Sequence, residues 1–349
     1  MPRPKKPSSP KAPQVAIIGA GIAGIACART LAQAGMHVTV FEKARGVGGR
    51  MSTRYADPFY FNHGAPFFTV QTHSFQQYIQ SLIALGVVIG WKKQPVIISP
   101  YSPLAQSQLS QQVYGSVPYM NSLCKYLSQG LHLMTNTEVA PVGEKQLDGW
   151  HLYDTKGQSL GIFDWLVSTA PPPQTLNLLN IYLPEEVAKK LCAASFLSSS
   201  VLMLGLSREC WSPSWDIAEV LHHPVASIMI NSARSARENL LLNSVVVHST
   251  HHWALEHIDQ DSLKVSDALA IAWGDLVGVD IDRADYRAFH RWRYAKVCPT
   301  EAGHPFLDLD LKIASTGDWC GRLDVSEIER AWLSAQSLIQ SIRDSFGYC

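Results

Sequence analysis

Gly19-Ala-Gly21-Ile-Ala-Gly24 stands between a short apolar run and a stretch of good helix formers. That spacing belongs to a strand-to-helix turn whose backbone N–H groups face a phosphate at the positive end of a helix. Gly19 permits the tight turn, Gly21 lets the backbone approach a pyrophosphate, and Gly24 lets helix and strand pack closely. Ile22 and Ala23 would contribute the first-turn backbone. Glu42 follows about twenty residues on, where an acidic side chain accepts hydrogen bonds from adenosine ribose hydroxyls. A glycine turn that serves packing alone is the competing reading.

A second glycine turn, Arg45-Gly-Val-Gly48-Gly49-Arg50, starts just after Glu42-Lys43, and Met51 follows it. Arginine in such a place can neutralise phosphate oxygens and hold them bidentately. An ordinary NAD domain has no use for a second pass over the pyrophosphate. The loop points to FAD, held non-covalently, since Cys320 lacks the sequence surroundings of covalent flavin cysteines.

The elements that must position these turns are legible. Gln14-Val-Ala-Ile-Ile18 reads as a buried parallel strand, Ile25–Ala34 as a helix stopped by Gly35, and His37–Glu42 as the next strand. Together they form a βαβ unit. Leu131–Thr169 alternates and is expected to be an antiparallel meander ending in Trp165–Thr169. Pro171-Pro-Pro173 is expected to break the chain. Further helices are predicted near 184–194 and 263–277, strands over Asn243–Ser249 and Leu311–Thr316, and a long helix from about Ile328 to Ser345. Phe75–Gly130 is mixed.

Composition narrows the classes. The chain has 349 residues, 46% hydrophobic and 17% charged, so a sizeable core is expected. Lys+Arg and Asp+Glu balance at 29 each, which removes the footprint of a dedicated nucleic-acid binder. The seven cysteines show no Cys-x-x-Cys pair, which fits a reducing cytoplasm. No apolar run approaches a membrane span. Residues 1–13 form a basic, proline-rich extension expected to be disordered.

Several longer motifs carry a resemblance. They are Arg45-Gly-Val-Gly-Gly-Arg-Met-Ser52, Asn62-His-Gly-Ala-Pro-Phe-Phe-Thr69, Thr137-Glu-Val139, Ser168-Thr-Ala-Pro171, His290-Arg-Trp-Arg-Tyr-Ala295, Gly317-Asp-Trp-Cys320 and Ala331-Trp-Leu-Ser334. From Val15 to about Ile342 the chain resembles the flavin-containing amine oxidase superfamily, and within it the bacterial renalase-like branch. The resemblance implies that Val139 meets the adenine and that Asp318, after Gly317, contacts the ribityl or pyrophosphate part. It implies that the helix from Glu329, with Arg330 and Ala331, aims its N-terminus at the flavin pyrimidine edge. Gly64, Ala65 and Pro66 would lie beside the flavin ring, and Thr169 and Ala170 would complete the cofactor site. Pro66 stands where relatives carry Gln, and Ser326 and Arg330 where they favour glycine.

Phe67, Phe68, His248, Trp253, Trp292 and Tyr294 are candidates to line the substrate cavity. Trp292 and Tyr294, at alternate positions, would share a strand face, either sandwiching a planar ring or forming a core stripe. Lys296 invites comparison with the lysine many flavin amine oxidases use, although the renalase-like pattern has none. Cys320 reads as a packing residue. No metal is expected: His222-His223 and His251-His252 would point to opposite strand faces with no carboxylate at ligand spacing.

The expected fold is α/β. A Rossmann-like FAD-binding domain of glutathione-reductase type (14–75, 131–174 and 305–349) receives an inserted α+β substrate domain on a mixed sheet (76–130 and 175–304). The resemblance implies an oxidase that takes hydride from a 2- or 6-dihydro-NAD(P) isomer to flavin N5, with O2 giving hydrogen peroxide. Oxidation of a small primary or secondary amine and a non-catalytic flavin-binding regulatory role are the alternatives. Expected partners are a small-molecule substrate and O2, with no nucleic acid and no membrane, in a monomer or homodimer.

Overall fold

The computed structural model describes residues 12–91, 95–106, 111–231, 241–298 and 304–345, so all but the end of the N-terminal extension lies outside the described residues. The chain opens with β1 (Gln14–Ile18), α1 (Ile22–Gln33) and β2 (His37–Phe41). After Gln14, β1 is apolar throughout because both its faces are covered, Val15 and Ile17 by one layer and Ala16 by the other.

A hairpin of β3 (Arg54–Ala56) and β4 (Phe59–Phe61) follows, then β5 (Phe68–Thr69), α2 (His73–Ala84) and β6 (Val88–Gly90). Next come β7 (Val96–Ser99), β8 (Ser102–Gln106), β9 (Val113–Ser116), α3 (Ser122–Leu127) and β10 (His132–Met134). β11 (Trp150–Tyr153) and β12 (Ser159–Phe163) lead into β13 (Trp165–Ser168), α4 (Pro172–Leu179) and α5 (Glu185–Ala193). β14 (Ser195–Ser207), β15 (Ile217–Val220), β16 (Val225–Ile230) and β17 (Leu242–Ser249) precede α6 (His251–Glu256) and α7 (Ser262–Val277). The chain closes with β18 (Tyr286–Cys298), β19 (Phe306–Asp308), β20 (Ile313–Ser315) and α8 (Glu327–Ser345).

A six-stranded sheet in the order β10-β2-β1-β13-β20-β19 is parallel except for β19. α1 and α8 cover one face through Ile25, Leu31, Leu338 and Ile342. The β11–β12 hairpin and α4–α5 cover the other, where Trp150, Leu152, Leu179 and Leu191 are buried. Each such side chain contributes about 1.5–3 kcal/mol by leaving water. The architecture is the mixed α/β one that the sequence implies.

The second sheet has seven strands, β18-β14-β17-β16-β15-β7-β8, antiparallel except where β7 runs parallel to β15. Alternation along β14 and β17 splits its faces. Leu202, Leu204, Val245 and Val247 meet Leu269 and Trp273 of α7 at the back. Val201, Met203 and Val246 meet Phe59 and Phe61 at the front. Gly205 admits the Phe59 ring, because a Cβ there would lie 2.6 Å from it.

Three expectations change. The predicted meander divides: β10 and β13 join the parallel sheet, and only β11–β12 forms a hairpin. The triple proline starts α4 rather than breaking the chain, since first-turn residues need no N–H partner. Segment 76–130 is shared between the layers. β7 and β8 extend the seven-stranded sheet, whereas Ile79, Leu82, Val88 and Leu123 pack in the core of α1 and α8.

Candidate active site

The first glycine turn is built as its spacing predicts. Gly19 has φ +107°, and a Cβ on Gly24 would lie 2.0 Å from the Gly19 carbonyl oxygen. The Thr169 hydroxyl donates to the carbonyls of Ile18 and Gly19 at 3.1 and 3.2 Å, tying β13 to the turn. Gly21 caps α1 without a side-chain hydrogen bond, and a Cβ there would meet nothing within 4 Å. The helix N-terminus therefore opens onto bare backbone.

Glu42, 9% exposed at the end of β2, accepts from the Ala20 N–H at 2.9 Å and the Ala44 N–H at 2.8 Å. Its carbonyl accepts from Thr137, so the loop running to Val139 passes beside it. Lys43 and Arg45 are exposed. The Gly48 N–H bonds to the Ala20 carbonyl, and a Cβ on Gly49 would stand 3.3 Å from Gly21 Cα. The two turns touch and form one cradle.

Arg50 leaves this cradle towards the C-terminal motif. Its Nη1 and Nη2 donate to the two Asp318 oxygens, each at 2.6 Å. Burial opposes the Arg50 charge, and the Asp318 carboxylate overrides it, holding the guanidinium more firmly protonated than usual. The bidentate partner expected to be phosphate is thus a carboxylate in this structure, and Asp318 spends both oxygens on Arg50. Gly64 lies against the same turn: a Cβ there would be 1.9 Å from the Arg50 carbonyl oxygen, which accepts from the Ala65 N–H. Pro66, two residues on from Gly64, and Ala170, next to Thr169, are half-buried.

The C-terminal side differs from expectation at one carboxylate. Glu329 is fully buried and accepts from the N–H groups of Gln71 and Thr72 and from the Thr72 hydroxyl. It anchors the start of α2, so only its backbone remains for a cofactor. Ile22, Ala23, Met51 and Ala331 likewise bury their side chains in the core. Arg330 reaches the Asp318 carbonyl, and the Ser334 hydroxyl donates to that of Gly317. Burial pushes the Cys320 thiol up, as suits a packing residue.

The front face of the seven-stranded sheet meets the cradle at His63, next to Gly64. Trp292 Nε1 donates to the His63 carbonyl at 2.8 Å, and their rings stack at 5.6 Å. His290 packs edge-on against both rings. Desolvation lowers His63 to about 3 and His290 to about 4, and for His63 the neighbouring His290 adds to the effect. His248 sits opposite Val201 on the same face, is lowered to about 4 by burial, and has a buried Nε2 without a partner. His63 and His290 were not singled out from the sequence. The signals were present: one precedes Gly64, and the other stands two residues before Trp292 on an alternating strand.

Other candidates fall elsewhere. Phe68 is core, stacked near Tyr114 and Phe75, while Phe67 is half-buried. Trp253 stacks on His257 and packs against the back core, away from His248. Trp292 and Tyr294 are not a pair. A register shift between Leu197 and Ser199 bulges β18, and Tyr294 packs on Phe196. Lys296 pairs with Glu327 at 3.0 Å. His251 bonds to the Ser198 carbonyl and His252 pairs with Glu256. Among the described residues no group of three or more His, Cys, Asp or Glu is placed to hold a metal ion. Nor is any helix among them long and apolar enough to cross a membrane.

Residues 17–82 match the family model described as an NAD(P)-binding Rossmann-like domain. A phytoene desaturase of Cercospora nicotianae is 43% identical over 58 residues, which is 17% of this chain and 9% of that protein. The match thus spans about a tenth of the relative. Over nearly the whole chain, an oxidoreductase from Methanosarcina mazei superposes with a TM-score of 0.71 at 12% identity, covering 94% of this chain and 100% of that one. Wild-type putrescine oxidase bound to putrescine gives 0.69 at 12% identity, covering 95% and 99%. The fold is shared. At this identity the likeness speaks for architecture, while the family model's residues 17–82 take in both glycine turns.

Proposed function

We propose that this chain is an FAD-dependent oxidase. The observation that carries the reading is the contact between the two glycine turns. Gly21 faces open space, Gly49 lies against it, and Gly48 is bonded to Ala20. A single-fingerprint dinucleotide site needs no second turn, whereas the longer FAD pyrophosphate and ribityl chain does. The residues fit: Glu42 would hold the adenosine ribose, the α1 N-terminus the phosphates, and the Arg50–Asp318 junction the ribityl end. The redox activities named for the putrescine oxidase and the phytoene desaturase support the same class.

FAD, when bound, would supply a hydride acceptor at N5, with O2 as the oxidant that takes the two electrons, the proton and one more from solvent to give hydrogen peroxide. The residues orient the donor and exclude water. His63, His290 and Trp292 offer an aromatic wall, and both histidines are neutral at physiological pH. Such a wall suits a flat, uncharged dihydropyridine ring, which releases hydride without a general base. An amine arrives protonated, with a pKa of about 10, and histidines lowered to about 3 and 4 are poor bases for it. On this reading the substrate is a dihydronicotinamide, and the resemblance of the sequence to the renalase-like branch narrows it to a 2- or 6-dihydro-NAD(P) isomer.

The test is anaerobic. Borohydride-treated NAD, which contains these isomers, should bleach the flavin absorption of the purified protein, and ordinary NADH and amines should not. Bleaching by putrescine or another amine alone would replace the substrate assignment with amine oxidation. Bound flavin that neither class reduces would make the protein a flavin-binding module, and absence of flavin would overturn the cofactor reading.

A further inference from the structure

The β3–β4 hairpin carries a cation onto the front of the seven-stranded sheet. Arg54 stands opposite Phe61, and Ala56 opposite Phe59. Ala56, Phe59 and Phe61 all pack on that front. Residues two apart on a strand share a face, so Arg54 lies on it as well. Tyr55, between them, faces the other way and donates to Asn121 at 2.9 Å. Arg54 is half-buried, and among the described residues it forms no ion pair and no side-chain hydrogen bond.

The aromatic wall stands on the same face. Tyr286 and Trp292 of β18 join the front core, whereas Arg287 and Arg291 reach back to Asp267 and the Gln260 carbonyl. The charge of Arg54 acts on both His63 and His290. His248, opposite Val201 on this face, keeps a buried Nε2 without a partner. Among the described residues the histidines are not placed to hold a metal ion. The front therefore offers a guanidinium that lacks its counter-charge, next to imidazoles that can donate or accept. A half-buried charge is screened less than an exposed one, so an anion arriving there is drawn more strongly.

We propose that Arg54 anchors a phosphate group of the substrate, whose flat ring lies against the wall of His63, His290 and Trp292. The guanidinium fork can hold two phosphate oxygens at once. The substrate is then a phosphorylated nucleotide, since neither a free base nor a riboside carries the group that Arg54 binds. That the ring is a dihydronicotinamide rests on the proposed function, whereas the phosphate anchor does not.

The experiment compares the full chain with Arg54→Met, which keeps bulk without charge, and with Arg54→Lys, which keeps charge without the fork. One arm uses FAD-loaded protein under anaerobic conditions and follows flavin reduction by borohydride-treated nicotinamide mononucleotide and by borohydride-treated nicotinamide riboside. The wild-type chain should favour the mononucleotide by about tenfold or more, the size of one charge-assisted hydrogen bond. Arg54→Met should bring that ratio near one, and Arg54→Lys should restore part of it. The other arm measures binding of the unreduced mononucleotide and riboside, and the same preference should appear and be lost with Arg54. A wild-type chain without preference in either arm overturns the anchor, as does a preference that survives in a folded Arg54→Met protein. A loss of FAD affinity in Arg54→Met as large as the loss for the mononucleotide also overturns it, by assigning Arg54 to the cofactor. Were Arg54→Met not to fold, Arg54→Gln takes its place with the same expected ratios. A chain reduced by amines alone, or one that takes up no FAD, defeats the proposed function, and the binding arm then decides the anchor by itself.

Discussion

Arg50 and Asp318, 268 positions apart, close on each other through two 2.6 Å hydrogen bonds, and this junction joins the second glycine turn to the C-terminal motif. The Asp318 side chain is 3% exposed and that of Arg50 30%. Removing one partner leaves the other desolvated and uncompensated. Asp318→Asn should therefore lower stability by about 2–3 kcal/mol, at the upper end for bonds to charged groups. The urea midpoint measures this, with the slope unchanged. A double-mutant cycle with Arg50→Met should show strong coupling; additive effects would mean that the pair contributes little.

Glu42 is held in place by the N–H groups of Ala20 and Ala44. Glu42→Ala should weaken FAD retention by about 1.5–3 kcal/mol, roughly tenfold to a hundredfold. Titration of cofactor-free protein with FAD reads this directly. Because the same carboxylate also braces the first turn, the urea midpoint of the cofactor-free variant should fall as well. FAD affinity equal to wild type would remove Glu42 from the ribose site.

Acid should destabilise the protein before its carboxylates titrate. The folded chain keeps His63 at about 3 and His290 and His248 at about 4, against an ordinary value of 6.5. In this window the unfolded chain binds more protons than the folded one, so stability rises with pH. It is fully present above about pH 6.5 and declines as pH falls towards 4, by up to about 1.4 kcal/mol per pH unit for each histidine. Urea midpoints between pH 7 and pH 4.5 would show the slope. His290→Phe should remove about one histidine's share of it.

The parallel sheet was readable because β1 and β2 are local, apolar and separated by an unmistakable turn. The cradle was readable because glycine is demanded by contacts within a few residues, as Gly24 is by Gly19. What escaped depends on distant partners. Nothing in Phe67-Phe68 tells which ring is core, because Phe68 is fixed by Phe75 and Tyr114. The bulge that parts Trp292 from Tyr294 arises from pairing with β14, nearly a hundred positions away. Glu329 looked like a cofactor residue until Thr72 was placed beside it. His63 and His290 became a site only when the seven-stranded sheet met the cradle.

The second and third glycines of the first turn, Gly21 and Gly24, should respond oppositely to the same change. Gly24→Ala puts a methyl group 2.0 Å from the Gly19 carbonyl, where neither backbone can move without breaking the turn. A loss of about 1–3 kcal/mol is expected from such overpacking, with a lower Tm even without cofactor. Gly21 has an ordinary φ of −74°, and a methyl group there meets nothing in the protein within 4 Å. Gly21→Ala should therefore leave the Tm of cofactor-free protein near wild type. Yet it would fill the space through which the backbone approaches a pyrophosphate, so FAD affinity should collapse. Comparing Tm and FAD affinity across both variants separates a turn kept for packing from one kept for binding. A Gly21→Ala protein that still holds FAD as tightly as wild type would show that the open face of this turn is not where the pyrophosphate lies.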